Sequence, residues 1–146
     1  MGGSLKPLIA AIAVAGSLVT GLVGTASAGD FIPYTAERLQ SLQANADKPN
    51  VVFVNANWCP VCAKERPIVA KLIGATINGK HYEGDPSLID MDVVYIDFDV
   101  QRDAWHSFHV TEQSTLIVFK GNKEVARAVG MTDPDQIKDL LMKAKG

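Results

Sequence analysis

The chain has 146 residues, with 14 Lys and Arg against 16 Asp and Glu, a formal net charge of −2. That length holds one domain with a real core and not two comfortable ones. The slightly acidic balance offers no basic footprint for nucleic acid and no polybasic patch for a membrane surface. At 47% hydrophobic and 21% charged, the composition is that of a globular protein carrying one extra apolar segment.

The apolar segment comes first. Leu8 to Val23 reads LIAAIAVAGSLVTGLV, with Lys6 before it and Ala26-Ser27-Ala28 after it. A positive start, an apolar middle and a small-x-small end make a secretory signal peptide over residues 1–28, cut after Ala28. The alternative, an uncleaved membrane anchor, is weaker. The run falls short of the ~20 apolar residues a spanning helix needs, and Gly16, Ser17, Thr20 and Gly21 dilute it. Residues 29–146 are then expected as one exported domain in a bacterial-type periplasm, an oxidising compartment where disulfide chemistry is permitted.

Asp30 to Pro33 reads as a short lead-in. Thr35 can cap a helix with Glu37 in its first turn, and Leu39, Leu42 and Ala46 fall at helical spacing before Lys48-Pro49-Asn50 stops it. Val51 to Val54 is a continuous β-branched and aromatic run, the pattern of a central strand covered on both faces. After Cys59 the pattern turns helical through Cys62, Val69, Leu72 and Ile73, with Pro67 inside it and Lys64, Glu65 and Arg66 read as a solvated face. Gly74 to Asp90 reads as an irregular exposed loop. Asp92 to Phe98 is a second buried strand. Arg102 to His109 is a short helix burying Trp105 and Phe108. Thr115 to Lys120 and Glu124 to Val129 form a hairpin across Gly121-Asn122. Asp133, Pro134 and Gln136 mark the start of a last helix, with Ile137, Leu140, Leu141 and Ala144 as its apolar stripe. Early β-α-β alternation demands parallel strands with right-handed crossovers, and the hairpin adds antiparallel ones. The class is α/β, a central mixed sheet with helices on both faces.

The only two cysteines stand in Trp58-Cys59-Pro60-Val61-Cys62, at the first strand–helix junction. A structural staple gains little from so short a closed loop, whereas C-x-x-C at such a junction is a redox dithiol pattern. Cys59 would sit at a helix N-terminus, where unpaired N–H groups and the dipole favour a thiolate and can bring a thiol to roughly pKa 3.5–7. Pro60 suits the first helical position. Cys62, one turn on and less exposed, would resolve the mixed disulfide that Cys59 forms. Trp58 would present an apolar rim to a docking polypeptide. A different class of function also has a carrier. His106 and His109, three apart on one helix face, could join the cysteines around zinc or copper(I). With Trp105 and Phe108 turned inward they read as surface histidines, as does His81 in its polar loop, and no metal is assigned.

With these flanks, with Pro67 inside the following helix and with Phe119-Lys120-Gly121-Asn122 followed by Gly130, residues 31–146 resemble the thioredoxin family. The resemblance implies a thioredoxin fold, and thiol–disulfide exchange through Cys59 and Cys62 with protein disulfide or dithiol substrates. It implies no small-molecule cofactor. The substrate groove would be lined by Trp58, Pro60, Val61, Ser114 and Thr115, the last two through their backbone. Two positions depart from the family. Ser114 stands where the family has a cis-proline, and a cis bond before a non-proline residue costs about 2.5–4 kcal/mol, so a trans bond is expected. Phe53 stands where the family buries a carboxylate, so proton acceptance from Cys62 falls to water, Glu65 or another group. The proline-first loop resembles those of glutaredoxins and periplasmic disulfide oxidases, but the chain lacks the large helical insert of those oxidases. The expected function is that of a periplasmic reductant, monomeric and supplied with electrons by an integral membrane partner. A disulfide oxidase or isomerase is the alternative, with a copper- or zinc-binding protein of the same fold behind it.

Overall fold

A computed structural model describes residues 29–146, and the expected leader with its cleavage site lies outside the described residues. Gly29 is buried, and its amide donates to Ile73 O at 3.1 Å. The elements are β1 (Phe31–Pro33), α1 (Ala36–Gln43), β2 (Pro49–Asn55), α2 (Pro60–Ile73), β3 (Thr76–Ile77) and β4 (Lys80–His81). They continue with β5 (Asp92–Asp97), α3 (Arg102–Ser107), β6 (Thr115–Lys120), β7 (Lys123–Val129) and α4 (Pro134–Met142). Five strands form one sheet in the order β1-β5-β2-β6-β7, parallel among the first three and antiparallel across β2-β6 and β6-β7. Among the described residues no helix is long and apolar enough to cross a membrane.

β2 is the centre of the sheet because every one of its residues can be buried. Successive side chains point to opposite faces. Val51 and Phe53 enter the cluster formed with α2 and α4, which includes Val69, Ile73, Ile137 and Leu141. Val52 and Val54 enter the other, with Leu39 of α1 and Trp105 of α3. The continuous apolar run therefore marks a two-sided strand, as expected.

Three expectations need correction. The lead-in is a strand: β1 pairs in parallel with β5, Phe31 opposite Val93. The segment from Gly74 to Asp90 is not an irregular loop. Asn78 and Gly79, both at positive φ (50° and 74°), turn β3 into β4, the geometry that two-residue hairpins require. Leu88, at 0% exposure, then pins the rest of the segment to the core. Finally, α3 ends at Ser107, and His109 lies beyond it with φ 56°, so the two histidines do not share a helix face. Trp105 is buried as expected, its indole donating to Phe98 O at 2.9 Å, while Phe108 is only half-buried.

The β6–β7 turn leans on the end of α1. At Gly121, φ is +58° and a Cβ would lie 2.6 Å from Ala46 Cα and 2.7 Å from Ala46 O. Gly121→Ala is expected to lower the unfolding free energy by about 2 kcal/mol or more. A urea midpoint equal to wild type, with the same slope, would contradict that.

Candidate active site

β2 delivers the chain to the N-terminus of α2, and the cysteines sit where strand becomes helix. Cys59 is the N-cap, with φ −80° and ψ 114°, and its Sγ accepts from Cys62 N at 3.1 Å. A sulfur thus takes the place that a Ser or Asp oxygen fills in ordinary caps. Pro60 follows at the first helical position, where its missing N–H is not needed. A backbone amide and the N-terminal end of a 14-residue helix both face Cys59 Sγ.

Both cysteines are free thiols, 2% and 1% exposed. The expected contrast in exposure is absent, because capping folds the Cys59 side chain back over the first turn. The chemical contrast comes from elsewhere. Burial, reinforced by the Cys59 hydrogen bond, pushes the Cys62 thiol up to about 11, against smaller opposing effects of the Ala56 backbone and the Ser114 hydroxyl. Cys62 therefore stays protonated at neutral pH.

The rim is apolar. Trp58 is 59% exposed, its indole N–H held 3.0 Å from both carboxylate oxygens of Asp99, and Pro60 and Val61 are exposed beside it. Ser114 and Thr115 are placed differently from expectation. Both are buried, and the Ser114 amide donates to Val54 O at 2.7 Å while its carbonyl accepts from Gly130 N at 2.8 Å. Thr115 pairs with β2 on one side and β7 on the other, and its hydroxyl donates to Glu112 O at 2.7 Å. Their backbones serve the sheet and are not offered to a docking strand.

Ser114 follows a trans peptide and has φ +60°, a left-handed conformation that costs a non-glycine residue about 1–3 kcal/mol. Its Oγ donates to Glu65 Oε2 at 2.5 Å. Glu65 corrects the reading of Lys64-Glu65-Arg66 as a solvated face. Lys64 is exposed and Arg66 half-buried, but Glu65 is 0% exposed. The missed signal is its spacing: Cys62, Glu65 and Val69 recur at helical intervals, so Glu65 belongs to the buried stripe. Burial pushes its carboxyl up to about 7, partly offset by the Ser114 hydrogen bond, and its Oε1 has no hydrogen-bond partner among the described residues. Phe53 is wholly buried and packs edge-on against Phe31, 6.5 Å between ring centres. Among the described residues Glu65 is the one buried carboxylate. Beside Cys62 the β3–β4 hairpin walls a cleft of about 450 Å³, with Asn55, Asn57, Arg66 and Lys80 among its lining.

The histidines stay away from this site. His106 stacks on Trp105, 4.1 Å between ring centres, and receives a hydrogen bond from Arg102, while His81 bonds Thr76. Among the described residues no group of three or more His, Cys, Asp or Glu is placed to hold a metal ion.

The thioredoxin family model matches residues 31–143. The chain belongs to the thioredoxin family. Thioredoxin-2 of Saccharomyces cerevisiae is 30% identical over 107 residues, spanning 73% of this chain and 90% of the yeast protein. The thioredoxin of Chlamydia muridarum is 30% identical over 88 residues, 60% of this chain and 74% of that protein. Among solved structures, that of Trxlp from Edwardsiella tarda EIB202 is 32% identical with a TM-score of 0.66, covering 76% of this chain and 97% of that one. The protein is thus a thioredoxin-like thiol–disulfide oxidoreductase with its two cysteines close together, in a family whose substrates are protein disulfides.

Proposed function

We propose that this thioredoxin-family protein is an exported reductant of protein disulfides, working as a monomer in a periplasm and re-reduced by an integral membrane partner. One observation carries the direction. Between α2 and β5 the described chain holds the short β3–β4 hairpin and no helix, so it lacks the large helical insert that the resemblance associates with periplasmic disulfide oxidases. Export rests on the leader pattern before residue 29, and the membrane partner on the need to bring electrons to an exported dithiol. The exposed Trp58 and Val61 supply an apolar rim suited to a polypeptide substrate. The proline-first loop favours the alternative, a disulfide oxidase. The reduction potential of the Cys59/Cys62 couple separates them: a value near −270 mV is expected, and one near about −120 mV would make the protein an oxidase.

A further inference from the structure

We infer that Ser114 and Glu65 form a proton relay that takes the proton from Cys62 when it resolves the mixed disulfide. The relay rests on the reading of Cys59 and Cys62 as the exchanging pair, and it deepens that reading. A buried thiol must lose its proton before it can attack, and Cys62 is only 1% exposed although a cleft lies beside it.

The geometry supplies a route. Glu65 lies three residues after Cys62 on the buried face of α2, so the two side chains share one side of the helix. Ser114 faces them from just before β6, its hydroxyl donating to Glu65 Oε2 and close enough to Cys62 to favour the thiolate there. A hydroxyl has one proton to give and two lone pairs with which to accept. With its proton on Glu65 the hydroxyl is free to accept the Cys62 proton, and once that proton has arrived it donates back to the thiolate, the direction in which Ser114 lowers the thiol. The positive φ of Ser114 is the kind of local strain that persists where the surroundings over-determine a residue, and such positions cluster at functional sites. Glu65 Oε1, buried without a partner, leaves the carboxyl short of the hydrogen bonds that a purely structural role would supply.

The steps balance. Cys59 thiolate attacks a substrate disulfide, forming the mixed disulfide and expelling one substrate thiolate. The Cys62 proton then moves to Ser114 Oγ as the Ser114 proton moves to the Glu65 carboxylate. Cys62 Sγ attacks Cys59 Sγ, the Cys59–Cys62 bond forms, the bond from Cys59 to substrate breaks, and the second substrate sulfur leaves as a thiolate. Two electrons pass from the dithiol to the substrate disulfide, and Glu65 returns its proton to solvent when the site reopens. Run backwards, Glu65 delivers the proton. The titration of Glu65 is governed by burial and Ser114, with no cation or second carboxylate from β2, β6, β7 or α4 contributing. The titratable group that shares its buried face of α2 is Cys62.

The test follows single-turnover reduction of a chromogenic aromatic disulfide by the full domain, in which first and second thiol release report attack and resolution separately. In wild type the resolution rate is expected to rise through an inflection near pH 7. Glu65→Gln and Ser114→Ala should each erase that inflection and slow resolution by about 100-fold at pH 8. Ser114→Gly, which relieves the backbone strain, should resolve as slowly as Ser114→Ala, and Glu65→Asp should restore part of the pH dependence. Should Glu65→Gln fold poorly, Glu65→Leu keeps the core apolar and must show the same flat, slow profile. Wild-type resolution rate and pH profile in Glu65→Gln and Ser114→Ala would overturn the relay. Absence of the first thiol release in wild type would instead remove the exchange reading beneath it.

Discussion

Cys62→Ser is expected to accumulate covalent adducts with its substrates, while Cys59→Ser accumulates none. Cys59 holds the cap position beside the exposed rim of Trp58 and Val61, so it makes the first attack in either direction of exchange. Without Cys62 nothing inside the site can break the mixed disulfide, and the adduct persists until an outside thiol arrives. Cys62 cannot replace Cys59 in the opposite variant, because burial holds its thiol up to about 11. Turnover against a protein disulfide should fall on the order of 10³-fold or more in both variants, the scale of losing a nucleophile. Non-reducing electrophoresis and mass spectrometry of the bands separate the two cases. Adducts on Cys62 in the Cys59→Ser protein would reverse the assigned roles.

The second large effect concerns stability against pH. Glu65 holds its proton more tightly in the folded chain, near pH 7, than in the unfolded chain, near 4.5. Between those values the native state binds more protons than the unfolded one, so stability falls as pH rises. The loss amounts to about 3 kcal/mol from about pH 4.5 to 7 and is constant above that window. Glu65→Gln should remove this slope and be more stable than wild type above about pH 8, because no charge is then left buried without a cation. Asp85 acts in another window. Its carboxyl is held well below the usual range first by Lys138, 2.6 Å away, and then by Ser87, so its contribution is present above its ordinary value and lost only in acid. Urea midpoints between about pH 4 and 9 test both, and an equal slope in wild type and Glu65→Gln would clear Glu65 of the effect.

Much of this architecture is legible in the residues because it is local. Val51 to Val54 announces a two-sided strand by its unbroken run, Pro60 fits the start of α2, and Asp133 and Pro134 open α4 as capping rules require. The cysteine pair announces its own chemistry. What escapes notice depends on distant partners. β1 is three residues long and becomes a strand only because β5, some sixty residues on, accepts it. β3 and β4 are two residues each, too short for periodicity, although Asn78-Gly79 is a hairpin signal that could have been used. Glu65 is hidden by its charged neighbours and by its partner, since Ser114 is 49 positions away. The proline position of the family implied an open backbone at Ser114. A serine there turns left-handed and joins the sheet instead.

Gly29 closes the far end of the helix that carries Cys59. It lies against the last turn of α2, donating to Ile73 O, and a Cβ there would overlap the Met91 carbonyl oxygen. Any larger residue at this position would have to part α2 from the residue that precedes β5. The seat of the dithiol is thus fastened at both ends, by a sulfur cap at one and by a glycine amide at the other.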